Sequence, residues 1–132
     1  MIGLDTNVLV RYLVRDDPKQ AALADKCIES SCSRETPGFV SHIVLAELAW
    51  VLGRGYSYPQ STVLNVFAIL LTSEEIQIED PAIVRVALQR CADNNTDFAD
   101  SLIGAVHEIR GCMHTATFDK KAVRLPTHQL LK

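Results

Sequence analysis

Short apolar runs alternate along this chain with stretches in which apolar residues recur at helical spacing. The first run is Ile2–Leu4, and a helix-period pattern follows it over Thr6–Val14. Asp17-Pro18 and Asp80-Pro81 mark later helix starts, because Asp caps a helix and Pro suits its first position. The predicted helices are residues 6–14, 16–29, 42–55, 58–72, 80–91 and 97–111, and the predicted strands are residues 2–4, 37–41, 75–79, 112–117 and 123–125.

This alternation predicts the fold class. Strands separated by helices are typical of βαβ units and of a mainly parallel sheet, so the chain is predicted to be an α/β protein. Its 132 residues suit a single domain, residues 1–132. In parallel sheets, ligands bind beyond the carboxyl ends of the strands, at the point where the strand order reverses. The ends of the predicted strands are therefore where functional side chains are expected.

Two carboxylates in the first half of the chain stand out against apolar surroundings. Asp5 directly follows the first predicted strand, and a helix N-cap is an equally good interpretation of it. Glu47 interrupts a helix in which residues 43–52 are otherwise apolar. A helix that is apolar on all sides is typically buried, and a buried lone carboxylate costs several kcal/mol without compensation. The pattern therefore predicts a buried Glu47, with a salt bridge to Arg54 or Arg11 as the structural alternative.

Three further aspartates lie in the second half. Asp97 and Asp100 are three residues apart, so they share one face of the predicted helix at 97–111. The structural alternative is a capping box, in which Asp97 caps the helix and Asp100 reaches back to it. Asp119 follows the strand predicted at 112–117, and its structural alternative is an ordinary turn residue beside Lys120 and Lys121.

Together these positions predict a metal site. If the first and fourth predicted strands are neighbours, Asp5, Glu47, Asp100 and Asp119 converge at the switch point of the sheet. Several carboxylates a few ångströms apart repel one another, and a cation allows all of them to stay ionised. Ligation by oxygen alone suits Mg²⁺ or Mn²⁺ and disfavours zinc or copper.

Composition narrows the class of protein. The net charge is −3, so any contact with nucleic acid depends on a local basic patch or on a metal. No apolar run is long enough to span a membrane, and Met1 leads directly into a predicted strand without a signal peptide. We therefore expect a cytoplasmic protein with reduced, mostly buried thiols. The cysteines form no C-x-x-C pair, which argues against zinc; they are Cys27, Cys32, Cys91 and Cys112.

Four motifs resemble the PIN-domain family, and more closely its single-domain toxins of VapC type. They are "LDTNVLV" from Leu4, "AELAWVL" from Ala46, "DFADSLIGA" from Asp97 and "TFD" at residues 117–119, in the family's order over the whole chain. The resemblance implies a Rossmann-like α/β/α sandwich around a central, mainly parallel sheet of four to five strands. It also implies an endoribonuclease that requires Mg²⁺ or Mn²⁺.

The resemblance also implies roles for individual residues and partners. The core acids that hold the metal are Asp5, Glu47, Asp100 and Asp119, and Asp97 matches a further acid of some members. Thr6, Asn7 and Thr117 match polar residues that orient ligands or water by hydrogen bonds. The family implies a homodimer and a cognate VapB-like antitoxin whose tail blocks the acidic groove, together with an RNA substrate.

The hypothesis that follows from the resemblance is hydrolysis of a phosphodiester in single-stranded or loop RNA by water, with charge on the attacking and leaving oxygens stabilised by metal. The histidines show no ligand spacing and are interpreted as structural or surface residues; they are His42, His107, His114 and His128. Basic residues are candidates for RNA contacts or simply solvated charges; they are Arg11, Arg15, Lys120, Lys121 and Arg124. An aspartyl phosphatase is a weaker alternative, because that chemistry needs a second acid where this chain has Asn7. A non-catalytic PIN-like domain that binds RNA or protein is the remaining alternative.

Overall fold

The computed structural model describes residues 1–132 as two compact units, Met1–Glu79 and Asp80–Lys132. The first unit contains α1 (Thr6–Val14), α2 (Pro18–Ser31), β1 (Gly38–Val40), α3 (His42–Trp50), a π-helical turn (Val51–Gly55), α4 (Gln60–Thr72) and β2 (Ile76–Ile78). The second contains α5 (Pro81–Asn94), α6 (Phe98–Ile109), β3 (Thr115–Thr117), a 3-10 turn (Ala122–Arg124) and β4 (His128–Leu130).

Parallel pairing organises the first unit. β1 pairs with β2 in parallel, with Gly38 opposite Ile76 and Val40 opposite Ile78. The segment predicted as the first strand makes a single parallel bridge, from Gly3 to Phe39, in place of a full strand. The Leu4 N–H donates to the Phe39 carbonyl at 2.9 Å, which fixes the chain direction just before Asp5.

Capping residues determine where α2 and α3 begin. Asp17 accepts a hydrogen bond from the Gln20 N–H at 3.0 Å, and Pro18 is the first residue of α2. Ser41 caps α3 by accepting from the Val44 N–H. The buried side chains of α3 are Leu45 and Leu48, which lie three residues apart on one face.

That packing corrects the prediction for Glu47. One stripe of α3 is buried, and the opposite stripe faces solvent although it carries large apolar side chains: Ile43 is 74% exposed and Trp50 63%. Glu47 lies between them at helical spacing and is exposed, so the prediction that it is buried is wrong. It also forms no salt bridge with Arg54 or Arg11. The apolar composition of α3 therefore did not predict which of its faces is buried.

In the second unit, α5 and α6 pack together and β3 pairs with β4 in parallel, with Thr115 opposite His128. The Ser101 hydroxyl of α6 donates to the Ala87 carbonyl of α5 at 2.7 Å, which joins the two helices through a buried hydrogen bond. Gly104 lets α6 approach the segment before β4, since a Cβ there would lie 2.8 Å from His128 Cε1 and 3.0 Å from Thr127 Cβ.

The strand predicted at residues 123–125 is wrong. The Asp119 carboxylate accepts hydrogen bonds from the Lys121 and Ala122 N–H groups, which starts a 3-10 turn over Ala122–Arg124. The final strand follows Pro126 instead, as β4. Each unit combines helices with one pair of parallel strands, so the α/β class is confirmed. The prediction was a central sheet of four to five strands, and the strands pair as two two-stranded sheets, β1 with β2 and β3 with β4. Each helix is too short or too polar to cross a lipid bilayer.

Candidate active site

Asp5 lies at the junction between the Gly3 bridge and α1. It is the N-cap of that helix, with extended backbone angles, and its Oδ1 accepts a hydrogen bond from the Thr6 N–H at 2.8 Å. The side chain is exposed. The capping interpretation of Asp5 is therefore present in the structure, and it engages one carboxylate oxygen, Oδ1.

Thr6 connects α1 to Glu47 of α3. Its buried hydroxyl donates to Glu47 Oε1 at 3.2 Å. This hydrogen bond holds the exposed Glu47 carboxylate beside the residue that follows Asp5. Asn7, the other polar residue after the first acid, is exposed. The first unit thus brings together Asp5, Thr6 and Glu47.

In the second unit the residues around β3 are held in a tight turn. The Asp119 N–H donates to the Thr117 hydroxyl at 3.0 Å, and Asp119 Oδ1 accepts from the Lys121 N–H at 2.8 Å. Asp119 is thus a turn residue, and Thr117 fixes its backbone. The Lys121 ammonium reaches Asp97 Oδ1 at 3.2 Å, an exposed ion pair.

Asp97 occupies the N-cap position of α6 without capping it through its side chain, which pairs with Lys121 instead. Asp100 lies in the first turn of the same helix and is half-buried. The capping box that was the structural alternative for Asp97 and Asp100 is therefore not formed.

Asp100 has the most perturbed electrostatic environment of the candidate acids. Burial raises its pKa above the ordinary value, and the negative charges of Asp119 and then Asp97 raise it further. His128 and Lys121 act in the opposite direction by a smaller amount. The second unit therefore places Asp119 and Asp97 within electrostatic reach of Asp100, and burial together with their charges disfavours the ionised form of Asp100.

The donor set in each unit fits a hard divalent cation in charge and in chemistry. Every candidate ligand is a carboxylate oxygen, and mutual repulsion raises the pKa of Asp100, which a bound cation would relieve. No group of three or more His, Cys, Asp and Glu side chains is spaced to hold a metal ion as it stands.

Sequence reasoning missed one residue near Asp100. His128 is half-buried on β4, and its Nδ1 lies 2.9 Å from the Thr127 hydroxyl. Burial lowers its pKa and favours the neutral imidazole, although Asp100 opposes that shift. Its position depends on β4, which replaced the wrongly predicted strand, so no ligand spacing in the sequence pointed to it.

Other residues considered from the sequence have structural partners. Arg11 forms an ion pair with Asp16 at 2.9 Å, and Arg15 forms one with Asp25 at 2.6 Å. Of the cysteines, Cys112 is exposed, while the buried and half-buried ones lie within the helices or at their ends; no disulfide joins them.

The sequence model of the PIN domain matches residues 2–127, which is nearly the whole chain. The chain therefore belongs to the PIN-domain family, and its fold is the Rossmann-like α/β fold that the motifs predicted. PIN domains are generally nucleases, so the family places this chain in a class of proteins that hydrolyse nucleic acids, usually with divalent metals. No curated protein matches the sequence closely enough to be counted as a relative.

Proposed function

We propose that this chain is a metal-dependent endoribonuclease of VapC toxin type, in which residues 1–132 act as a single PIN domain. In this proposal Asp5, Glu47, Asp100 and Asp119 hold Mg²⁺ or Mn²⁺. The observation that carries the proposal is the electrostatic state of Asp100: a half-buried carboxylate whose pKa is raised by burial and by two neighbouring aspartates. Such shifts are concentrated at functional sites.

The protein's own residues prepare the site for this chemistry. Thr6 holds Glu47 by a hydrogen bond, so that carboxylate is oriented before any ligand binds. Thr117 fixes the backbone of Asp119 in the same way. A divalent ion bound there supplies positive charge that stabilises the phosphate oxygens during cleavage. Asp97 and Lys121 form an exposed ion pair beside the other acids of the second unit, and the lysine reduces the local excess of negative charge.

The toxin-type assignment includes partners. We expect a homodimer in the cytoplasm and a cognate VapB-like antitoxin that blocks the acidic residues. Two exposed apolar side chains on α3 support an interface there, since Ile43 and Trp50 lie on either side of Glu47 at helical spacing. An antitoxin bound on this face would cover Glu47 directly. Sedimentation of the purified chain alone and with its antitoxin tests both partners.

One observation favours the non-catalytic alternative, a PIN-like domain that binds RNA or protein. Asp5 and Asp119 each use a carboxylate oxygen to hold a local turn, and the acids are not spaced as a finished metal site. A binding domain predicts that neutralising these acids leaves RNA affinity unchanged or improves it, without any cleavage in the wild type.

The deciding experiment is cleavage of single-stranded RNA by the purified chain with Mg²⁺, Mn²⁺ or EDTA. Asp5→Asn and Asp100→Asn should each abolish cleavage, while Asp93→Asn should cleave as wild type. Asp93 is the matched control because it is an exposed aspartate on α5 that bonds only to Gln89 of its own helix. Cleavage that persists in EDTA and in both site variants refutes metal-dependent cleavage by these acids. Absence of cleavage with retained RNA binding supports the non-catalytic alternative.

A further inference from the structure

Phe118 is the most exposed of the four phenylalanines. Its side chain is 80% exposed, whereas Phe67 and Phe98 are buried and Phe39 is half-buried. Single exposed apolar residues are common on protein surfaces. The position of Phe118, directly before Asp119, is what distinguishes it from the others.

The backbone on either side of Phe118 is fixed by hydrogen bonds. Thr117 precedes it as the last residue of β3 and accepts from the Asp119 N–H at 3.0 Å. Asp119 follows it and accepts from the Lys121 and Ala122 N–H groups. An aromatic ring is therefore presented to solvent from a turn that is held by hydrogen bonds on both sides.

Exposed basic residues follow Phe118 along the chain. Lys120 is exposed and takes part in none of the chain's salt bridges, so its ammonium is available to a phosphate. Arg124 is also exposed, and its Nη1 donates to the Asn95 carbonyl at 3.1 Å. Single-stranded nucleic acid is bound by exposed aromatic rings together with basic side chains, and this short segment of the chain supplies both.

We propose that Phe118 stacks on an unpaired base of the RNA substrate, beside the phosphate that the acids of the site engage. This inference rests on the proposed ribonuclease function and adds to it a side chain that binds one base of the RNA. Bases in a duplex are already stacked and paired, so they are not available to an exposed ring. Phe118 is thus a base-binding residue, and Lys120 contacts the adjoining backbone.

The first test compares substitutions at Phe118 by cleavage kinetics on an unstructured RNA oligonucleotide in Mg²⁺. Phe118→Ala and Phe118→Leu should raise KM about tenfold, because Leu keeps the apolar surface but offers no ring. Phe118→Trp should retain or improve KM. Met113→Ala is the matched control, since Met113 is an exposed apolar residue, 92% exposed, in the loop before β3. The melting temperature of each variant should match wild type.

The second test locates the base. A set of oligonucleotides, each lacking one base at a different position, is measured for binding in Ca²⁺ with wild type and with Phe118→Ala. Wild type should lose about tenfold in affinity at one abasic position, and Phe118→Ala should lose nothing further there. Equal sensitivity of the two proteins at every position overturns the proposal.

Two other outcomes are distinguishable. If wild type cleaves RNA and all Phe118 variants cleave it equally well, the stacking role is wrong and the ribonuclease stands. If wild type neither cleaves nor binds the oligonucleotide, the proposed function itself has failed. A change in oligomeric state on Phe118→Ala, measured by sedimentation, would assign the ring to a protein interface and also overturn the proposal.

Discussion

Replacing Gly104 by Ala tests the packing that holds α6 in the second unit. The new Cβ would clash with the Thr127 hydroxyl and would lie 2.8 Å from His128 Cε1 and 3.0 Å from Thr127 Cβ, well inside the 3.5–4.0 Å at which carbon atoms pack. One of the crowded atoms is next to the backbone, so it cannot move aside as the end of a long side chain would. The clash therefore requires α6 or the segment before β4 to shift.

The expected cost follows from two opposing effects. Overpacking a filled site costs about 1–3 kcal/mol, and the upper end applies where the obstructing atoms are stiff. The change from Gly to Ala inside a helix recovers about 1 kcal/mol. The net loss is about 2 kcal/mol, which for a chain of this length lowers the melting temperature by roughly 6–10 °C.

The assay is thermal and urea denaturation of Gly104→Ala beside Gly53→Ala. Gly53 lies in the π-helical turn with open space around its Cα, so Ala there should be neutral or slightly stabilising. Adding Thr127→Ala to Gly104→Ala should cost less than the sum of the single changes, because it removes the hydroxyl from the crowded site. A Gly104→Ala protein as stable as wild type would refute the reasoning.

Three electrostatic predictions follow from the two units. Because folding raises the pKa of Asp100, ionisation of this carboxyl opposes folding. Metal-free Asp100→Asn should therefore melt at a higher temperature than wild type at neutral pH, and this gain should vanish as the pH falls below the ordinary carboxyl pKa. A gain that is the same at all pH values would contradict this. Lys121→Met removes a nearby cation, so it should raise the pKa of Asp100 further, as measured by NMR titration of the carboxyl carbon. The hydrogen bond from Tyr56 is the largest cause of the lowered pKa of Asp16, so Tyr56→Phe should raise that pKa while Asp25, which pairs with Arg15, keeps its value. No change in the pKa of Asp16 would rule out the hydrogen bond in solution.

Helix boundaries were predictable because local chemistry determines them. The structure has α1 at Thr6–Val14, as the pattern predicted, and α2 starts at Pro18 behind its Asp17 cap. Capping needs only neighbouring residues, so one sequence contains all of the required information. The predicted strand at Ile2–Leu4 was placed correctly along the chain, but its extent depends on pairing with Phe39, which is remote in sequence.

The failures have a common physical cause, which is competition between local and long-range contacts. Glu47 was predicted to be buried from apolar neighbours, but only the partners of α3 decide which of its faces is covered. The strand at 123–125 was predicted from an apolar run, and the hydrogen bonds of Asp119 turned that run into a 3-10 helix. The proximity of Asp97, Asp100 and Asp119 was predicted in part from helical spacing, while His128 near them depends on the pairing of β3 and β4.

The hydrogen bonds that Asp119 accepts have a dynamic consequence. A divalent cation bound to Asp119 Oδ1 would compete with the Lys121 and Ala122 amides for that oxygen. Cation binding at the carboxylates is then linked to the hydrogen bonds of the surface turn that carries Phe118 and Lys120. The amide hydrogen exchange rates of residues 121 and 122 therefore report on cation binding at the carboxylates.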